Sequence, residues 1–254
     1  MKKDILKDWD EVYKREFRGT WYPAGGIIKF VARYLKRRIG LDLYDIKEDT
    51  KRVCDVGCAN GSHAAFLAEL GYDVYGIDIS SKAIEIANEW LKKKGLKANL
   101  IAGDAEKLPY EHDFFDAVIS DGVLDHILFS KAKKAMSEIR RVCAAGGYVF
   151  ITLRSTEDSE CGRGTKVDRN TFELEEGYEK GLIQHYFDLE ELKELFEGFK
   201  VFDIELYEEK FPNVFTVDKS FLQSSKGLKT YIDLSQRLGM DLKNSRWYIA
   251  AEKI

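Results

Sequence analysis

The chain has 254 residues, with 40 basic against 44 acidic side chains, a formal net charge of −4 and four cysteines. Charge that is mixed and slightly negative supplies no global field to hold a nucleic-acid backbone, so nucleic acid is not an expected partner. The charged opening Met1-Lys2-Lys3-Asp4 and the lack of a long apolar run argue against a signal peptide and a membrane span, and one cytoplasmic domain, monomeric or a homodimer, is expected over 1–254.

Residues 1–38 read as a helical segment ahead of the first strand. Trp9, Tyr13, Phe17, Trp21 and Tyr22 lead into Pro23-Ala24-Gly25-Gly26, after which Ile27 to Arg38 reads as a helix. Trp9 and Tyr13 suit a helix packed over a sheet as well as a pocket wall. Trp21-Tyr22-Pro23 falls at a break between helices, where aromatic groups serve recognition, so Trp21 and Tyr22 are read as substrate contacts on a partial lid. Arg18 reads as a surface arginine, with a ligand carboxylate as its second reading.

Arg52 to Val56 reads as a buried parallel strand, and Ser62 to Leu70 as a helix with Ala64, Leu67 and Ala68 facing a sheet. Between them runs Gly57-Cys58-Ala59-Asn60-Gly61. Glycines at such a crossing let a ligand approach the backbone, and the free N–H groups of the helix start favour anionic groups. A dinucleotide fingerprint needs glycine two residues after Gly57, where Ala59 stands. With the carboxylate of Asp55 alongside, a ligand carrying an amino group suits the loop better than a pyrophosphate. Glycines that serve only the turn are the plain alternative for Gly57 and Gly61.

Further segments follow in order. They are Tyr72 to Ser80, an apolar strand ending in Asp78-Ile79; Ala102-Gly103-Asp104-Ala105; Phe115 to Gly122, a strand ending in Asp121; and Ile139 to Phe150, a helix, a glycine turn and a strand. Taken with the loop, this series resembles the class I S-adenosylmethionine-dependent methyltransferases over roughly half the chain. The resemblance implies a doubly wound, Rossmann-like α/β fold in three layers, with a seven-stranded sheet whose last strand is antiparallel. It implies S-adenosylmethionine as cofactor, with Asp78 on the ribose hydroxyls and Ile79 against the adenine. Asp104 and Ala105 fall at the adenine edge, and Asp55, Gly57, Cys58, Gly61 and Asp121 complete the cofactor set. Ser80 is the natural N-cap of a helix from Ser81 to Leu91, which leaves Asp78 for the ligand. Asp104 as an ordinary turn residue is its plain reading, and Gly146-Gly147 reads as structural.

Candidates for the acceptor side come from the carboxyl edge of the sheet, where ligands of open α/β sheets bind. His126 follows the fourth strand. Arg154 follows the fifth, at the start of a polar stretch to Glu173, and suits an anionic group on the acceptor. His185-Tyr186-Phe187-Asp188 precedes a helix from Leu189 to Phe196 with Asp188 as its N-cap, which makes His185 a second candidate base and Tyr186 a substrate contact. His63 and His112 look less useful as bases. Phe199 to Leu206 and Arg246 to Lys253 read as the final pair of strands, with 209–245 an insertion that contains a helix over Leu228 to Leu238.

Cys54 and Cys143 read as small core residues, Cys58 as a loop residue whose backbone matters more than its thiol, and Cys161 as unpaired; no zinc pattern exists and no metal is expected. Transfer from a sulfonium requires mainly positioning and exclusion of water, with a base needed for a hydroxyl acceptor. The expected function is in-line methyl transfer to nitrogen or oxygen of a small molecule, with an anionic acceptor as the case that Arg154 would suit. A protein acceptor, and a non-catalytic module that binds the cofactor, are the competing readings, and a nicotinamide oxidoreductase is opposed by Ala59. The chain lacks the Pro-Pro-aromatic motif of base and glutamine N-methyltransferases, with Ser120-Asp121-Gly122-Val123 in its place.

Overall fold

The computed structural model describes residues 5–15, 22–41, 43–47, 50–176, 179–211 and 242–254. At its centre lies β3 (Arg52–Val56), buried from Val53 onward, as a parallel strand covered on both faces must be. On one side of it run β4 (Asp73–Asp78) and β5 (Asn99–Ala102), both parallel to it. On the other run β6 (Phe115–Asp121) and β7 (Cys143–Arg154), also parallel. The chain thus reverses its winding between β3 and β6, the switch point at which open sheets of this kind form their ligand crevice.

The sheet ends with β12 (Leu242–Lys253), antiparallel to β7, and then β11 (Phe199–Phe211), antiparallel to β12, which gives the order β11-β12-β7-β6-β3-β4-β5. This is the expected seven-stranded sheet with an antiparallel last strand. Both strands are longer than expected, so 209–211 and 242–245 belong to them and not to the insertion. The predicted helix at 228–238 lies outside the described residues.

Two apolar layers cover the faces. On one, α2 (Gly25–Phe30), α3 (Ser62–Glu69) and α4 (Ser81–Lys94) contribute Ile27, Phe30, Leu67, Ile84 and Leu91. On the other, α5 (Phe129–Val142) and α6 (Leu189–Leu195) contribute Met136, Ile139, Leu192 and Leu195. Helix ends follow the local chemistry. Ser80 caps α4 by accepting from the Ala83 N–H at 3.1 Å, and Gly95 closes that helix in the left-handed conformation. Asp188 and Glu191 form a capping box at α6.

Two expectations are corrected. The helix beginning near Ile27 does not reach Arg38: after a π-helical turn at Val31–Leu35 the chain forms a hairpin of β1 (Lys36–Arg38) and β2 (Tyr44–Ile46). The charges of Lys36-Arg37-Arg38, of which the last two are exposed, give no apolar stripe with which a further helical turn could pack. Residues 154–173 are not one loop: β8 (Thr165–Asp168), β9 (Thr171–Glu173) and β10 (Ile183–His185) form a small antiparallel sheet. The segment before α2 includes α1 (Ile5–Arg15), while Arg18 and Trp21 lie outside the described residues.

Candidate functional site

An open cavity lies over the carboxyl ends of β3, β4, β5 and β6, the edge at which open sheets of this kind bind ligands. The loop after β3 forms its floor. Gly57 has φ +81°, and a Cβ there would fall 2.0 Å from a Val123 methyl, so only glycine lets the two loops meet. Ala59 adopts φ +47°, a left-handed conformation costly for a residue with a Cβ, and its N–H donates to Asp78 Oδ2 at 2.9 Å. Gly57 and Cys58 both donate their N–H groups to the Ile77 carbonyl, at 2.7 and 3.1 Å, which fastens the loop to the end of β4.

Asp78 and Ile79 line the cavity beyond β4, and Gly103, Asp104 and Ala105 line it beyond β5. The Asp78 carboxylate accepts from the N–H groups of Ala59 and Ser80, each at 2.9 Å. Burial nevertheless outweighs these bonds and pushes its pKa up to about 6. Asp104 accepts from the Glu106 N–H at 2.9 Å, so it shapes its turn as well as facing the cavity. Beyond β6, Asp121 accepts from the Thr152 hydroxyl and lines the cavity with Gly122, Val123, His126 and Ile127.

Helix α1 closes the outer side through Trp9 and Tyr13. Between these two on the helix, Asp10 accepts from the Ser80 hydroxyl at 2.6 Å and from the Lys82 N–H at 3.2 Å. A carboxylate at the N-terminus of α4 is favoured by the helix dipole and by the N–H groups that open there. The Ser80 bond, above all, holds the Asp10 pKa below the ordinary carboxylate value. At the far side of the mouth, the Trp9 ring meets the His126 ring edge-on with centroids 5.2 Å apart.

His126 is buried, and its Nδ1 lies 3.3 Å from the Ile183 carbonyl. A carbonyl only accepts, so in this contact Nδ1 is the donor, while Nε2 lies 3.7 Å from Glu179 Oε1.

The other expected acceptor residues are placed elsewhere. His185 is wholly buried: Thr171 Oγ1 lies 2.7 Å from its Nδ1, Phe129 stacks on it, and burial pushes its pKa down to about 4. It lies on β10 and does not line the cavity, so its role as a base is withdrawn. Tyr186 is equally buried, packs on Phe172 and has its pKa raised, first by burial. Arg154 donates to Glu160 at 2.9 Å and Asp158 at 3.4 Å, and this acidic pair already occupies the group expected to hold an anionic acceptor. Tyr22 stands exposed away from the cavity wall. Asp55, Cys58 and Gly61 support the loop from below and do not form the cavity surface.

Residues 54–151 match the family described as a methyltransferase domain. A methyltransferase of Schizosaccharomyces pombe, described as uncharacterized, is 31% identical over 111 residues, which cover 44% of this chain and 77% of that protein. The chain belongs to the class I S-adenosylmethionine-dependent methyltransferases. A tRNA (carboxymethyluridine(34)-5-O)-methyltransferase of Arabidopsis thaliana is 35% identical over 115 residues, or 45% of this chain, a match that spans 26% of that relative's length. Among solved structures, a SAM-dependent methyltransferase of Methanosarcina mazei superposes with a TM-score of 0.60 at 22% identity, over 84% of this chain and 99% of that one, and so shares its fold.

The residues of this methyltransferase suit its cofactor, S-adenosylmethionine. The glycine floor leaves room that a Cβ at Gly57 would fill, Asp78 offers a carboxylate where ribose hydroxyls can donate, and Ile79 and Ala105 offer apolar walls for a ring between them. When bound, the cofactor supplies a methyl group on a cationic sulfur, open to in-line displacement. Among the described residues no group of three or more His, Cys, Asp or Glu is placed to hold a metal ion. Reading the sequence gave no role to Asp10, Val123 and Ile127, and set His63 aside. Val123 and Ile127 flank His126 in a short apolar turn, which was a usable signal. Asp10 carries none, because its partner lies 70 residues away.

Proposed function

We propose that this methyltransferase transfers the methyl group to nitrogen or oxygen of a small, uncharged or amine-bearing acceptor that enters between α1 and the turn after β6. The observation that supports this reading is the composition of the cavity wall. Trp9, Tyr13, Val123 and Ile127 stand with His126, and among the described residues none that lines the cavity is a lysine or arginine. An anionic acceptor therefore loses the support that Arg154 was expected to give. The protein's own contributions are to orient the acceptor against an apolar wall, to exclude water, and, for a hydroxyl, to take its proton on His126 Nε2.

The purified protein with S-adenosylmethionine would be screened for release of S-adenosylhomocysteine against small amines, phenols, alcohols, carboxylates, phosphorylated acceptors, peptides and tRNA. Turnover with an amine, phenol or alcohol is the expected result. Turnover confined to phosphorylated or carboxylated compounds, to peptides, or to the tRNA of the kind named for the Arabidopsis relative would overturn the reading.

A further inference from the structure

His63, on the first turn of α3, sits behind the loop floor among groups that the methyl-transfer chemistry leaves unused. Its Nδ1 lies 3.6 Å from Asp55 Oδ2, and its Nε2 lies 3.7 Å from Asp121 Oδ2. Nε2 also accepts from the Ala24 N–H at 3.2 Å, at the entry to α2. Asp55 is fully buried, and neither of its oxygens has a hydrogen-bond partner among the described residues, so the imidazole is its nearest charge partner. A buried carboxylate without such a partner is strongly disfavoured.

The two contacts of Nε2 exclude one another. To accept from Ala24 it must present a lone pair, which leaves it facing the Asp121 carboxylate as acceptor against acceptor. To donate to Asp121 it must carry a proton, and the Ala24 N–H then loses its partner. Asp121 lines the cavity beside Gly57 and Gly122.

We propose that His63 is a proton-coupled positioning residue of the cofactor site, which when neutral holds the Ala24 amide and leaves Asp121 wholly negative toward the cationic donor, and when protonated pairs with Asp121 and weakens the hold on that donor. S-adenosylmethionine carries one more positive charge than S-adenosylhomocysteine, namely the sulfonium, so protonation of His63 costs the donor more than the product. The balance between substrate and product at this site then depends on His63.

The surrounding charges support this assignment. Burial alone would lower the His63 pKa, but the carboxylates of Asp55 and then Asp121 outweigh it and hold it above the ordinary value. The other titratable or charged groups near the pair, among the described residues, are Cys54, Cys58, Arg246, Tyr248 and Asp78. Burial pushes both thiols well above the ordinary value, so they stay neutral, and Arg246 is paired with Asp125 at 3.2 Å. Burial, and then Asp121, push Tyr248 up to about 12, so it stays neutral. Asp78 titrates near 6 on the ribose side, but substrate and product share the ribose and feel it alike.

The test uses calorimetric titration of both ligands between about pH 6 and pH 8, the range in which a histidine changes charge, in the native protein and in His63→Gln. The expected result is a ratio of S-adenosylmethionine to S-adenosylhomocysteine affinity that rises about fivefold with pH in the native protein, the size of one charge felt across several ångströms of partly screened protein. In His63→Gln the ratio stays flat. Independently of any variant, the chain has four histidines, few enough to follow one by one by NMR. The His63 signal of the free protein should titrate above the ordinary histidine range and move down when S-adenosylmethionine binds, more than with S-adenosylhomocysteine, because the coupling is reciprocal. A flat ratio in the native protein, an equal rise in His63→Gln, or a His63 titration that ignores the donor would overturn the proposal. Should His63→Gln fail to fold, the NMR titration of the native protein decides alone.

Discussion

Asp10 accepts the Ser80 hydroxyl at 2.6 Å, and through this bond α1 is fastened to the start of the helix that follows Asp78. Ser80 is also the N-cap of α4 and donates its own N–H to Asp78. The wall made by Trp9 and Tyr13 is therefore held from the cofactor's side of the cavity. The Asp78 side of the cavity and its α1 wall thus share one short stretch of chain.

Replacing Asp10 with alanine removes this tie and an anion at a helix N-terminus, an interaction of about 0.3–1 kcal/mol at an exposed site. Thermal stability should fall by only about 1–3 °C. The affinity for S-adenosylhomocysteine should fall several-fold, because the wall over the cavity loses its anchor. Unchanged affinity by calorimetry would mean that α1 keeps its place without Asp10.

Asp78 should show opposite pH dependences for stability and for binding. Its folded pKa, about 6, lies above the ordinary 3.8, so the fold holds this proton more tightly than the unfolded chain does. The stability it contributes is present in full below about 3.8 and is lost as pH rises through about 6. Ribose hydroxyls need the ionised form, so affinity for S-adenosylhomocysteine should fall as pH drops below about 6, by up to about tenfold per unit. Calorimetry from about pH 5 to pH 7 checks this, and a flat affinity would remove Asp78 from the ribose.

The centre of the sheet was legible because its strands have buried apolar runs next to chemistry fixed by position, such as Gly57 after β3 and Asp78 at the end of β4. Asp78, Ile79, Asp104 and Ala105, expected on the cofactor side, were placed on the cavity wall by the same logic, since all sit at strand ends. The acceptor half was harder. Proximity to the carboxyl edge placed Arg154, His185 and Tyr186 near the site, but it does not say which way a side chain turns, and alternate residues of a strand face opposite ways. His185 belongs to β10, whose sheet was hidden in a stretch that read as polar loop. Arg154 was claimed by Asp158 and Glu160, four and six residues on, which suited a solvated loop equally well. Trp9 and Tyr13 have the spacing of any amphipathic helix, and only the tertiary fold shows what they face.

Arg154→Ala should act on stability and not on the acceptor. The guanidinium is largely buried and neutralises Asp158, which is 4% exposed and also accepts the Ser245 N–H at 2.9 Å. Leaving such a charge buried alone costs about 3–5 kcal/mol, or roughly 10 °C in a chain of this size. A variant that melts normally but needs far more acceptor would restore Arg154 to the substrate.

His126→Gln separates the two acceptor atoms. A general base contributes about 10²- to 10⁴-fold, so kcat with a hydroxyl acceptor should fall by that order. S-adenosylhomocysteine affinity should stay within a few-fold, and an amine acceptor, which brings its own lone pair, should lose much less. An equal loss for both acceptors would make His126 a wall residue that orients them and not a base.

Ala59→Gly tests the strain in the loop floor. A left-handed conformation costs a residue with a Cβ about 1–2 kcal/mol, and glycine gives back about 0.5–1 kcal/mol through the greater freedom of its unfolded chain. The net gain is then at most about 1.5 kcal/mol, seen as a melting point up to about 3–6 °C higher. Since the bond to Asp78 comes from the backbone N–H, glycine keeps it, and S-adenosylhomocysteine should bind as before. If the melting point rises while that affinity drops, the Ala59 methyl packs against the cofactor, and the strained alanine serves the ligand at the expense of the fold.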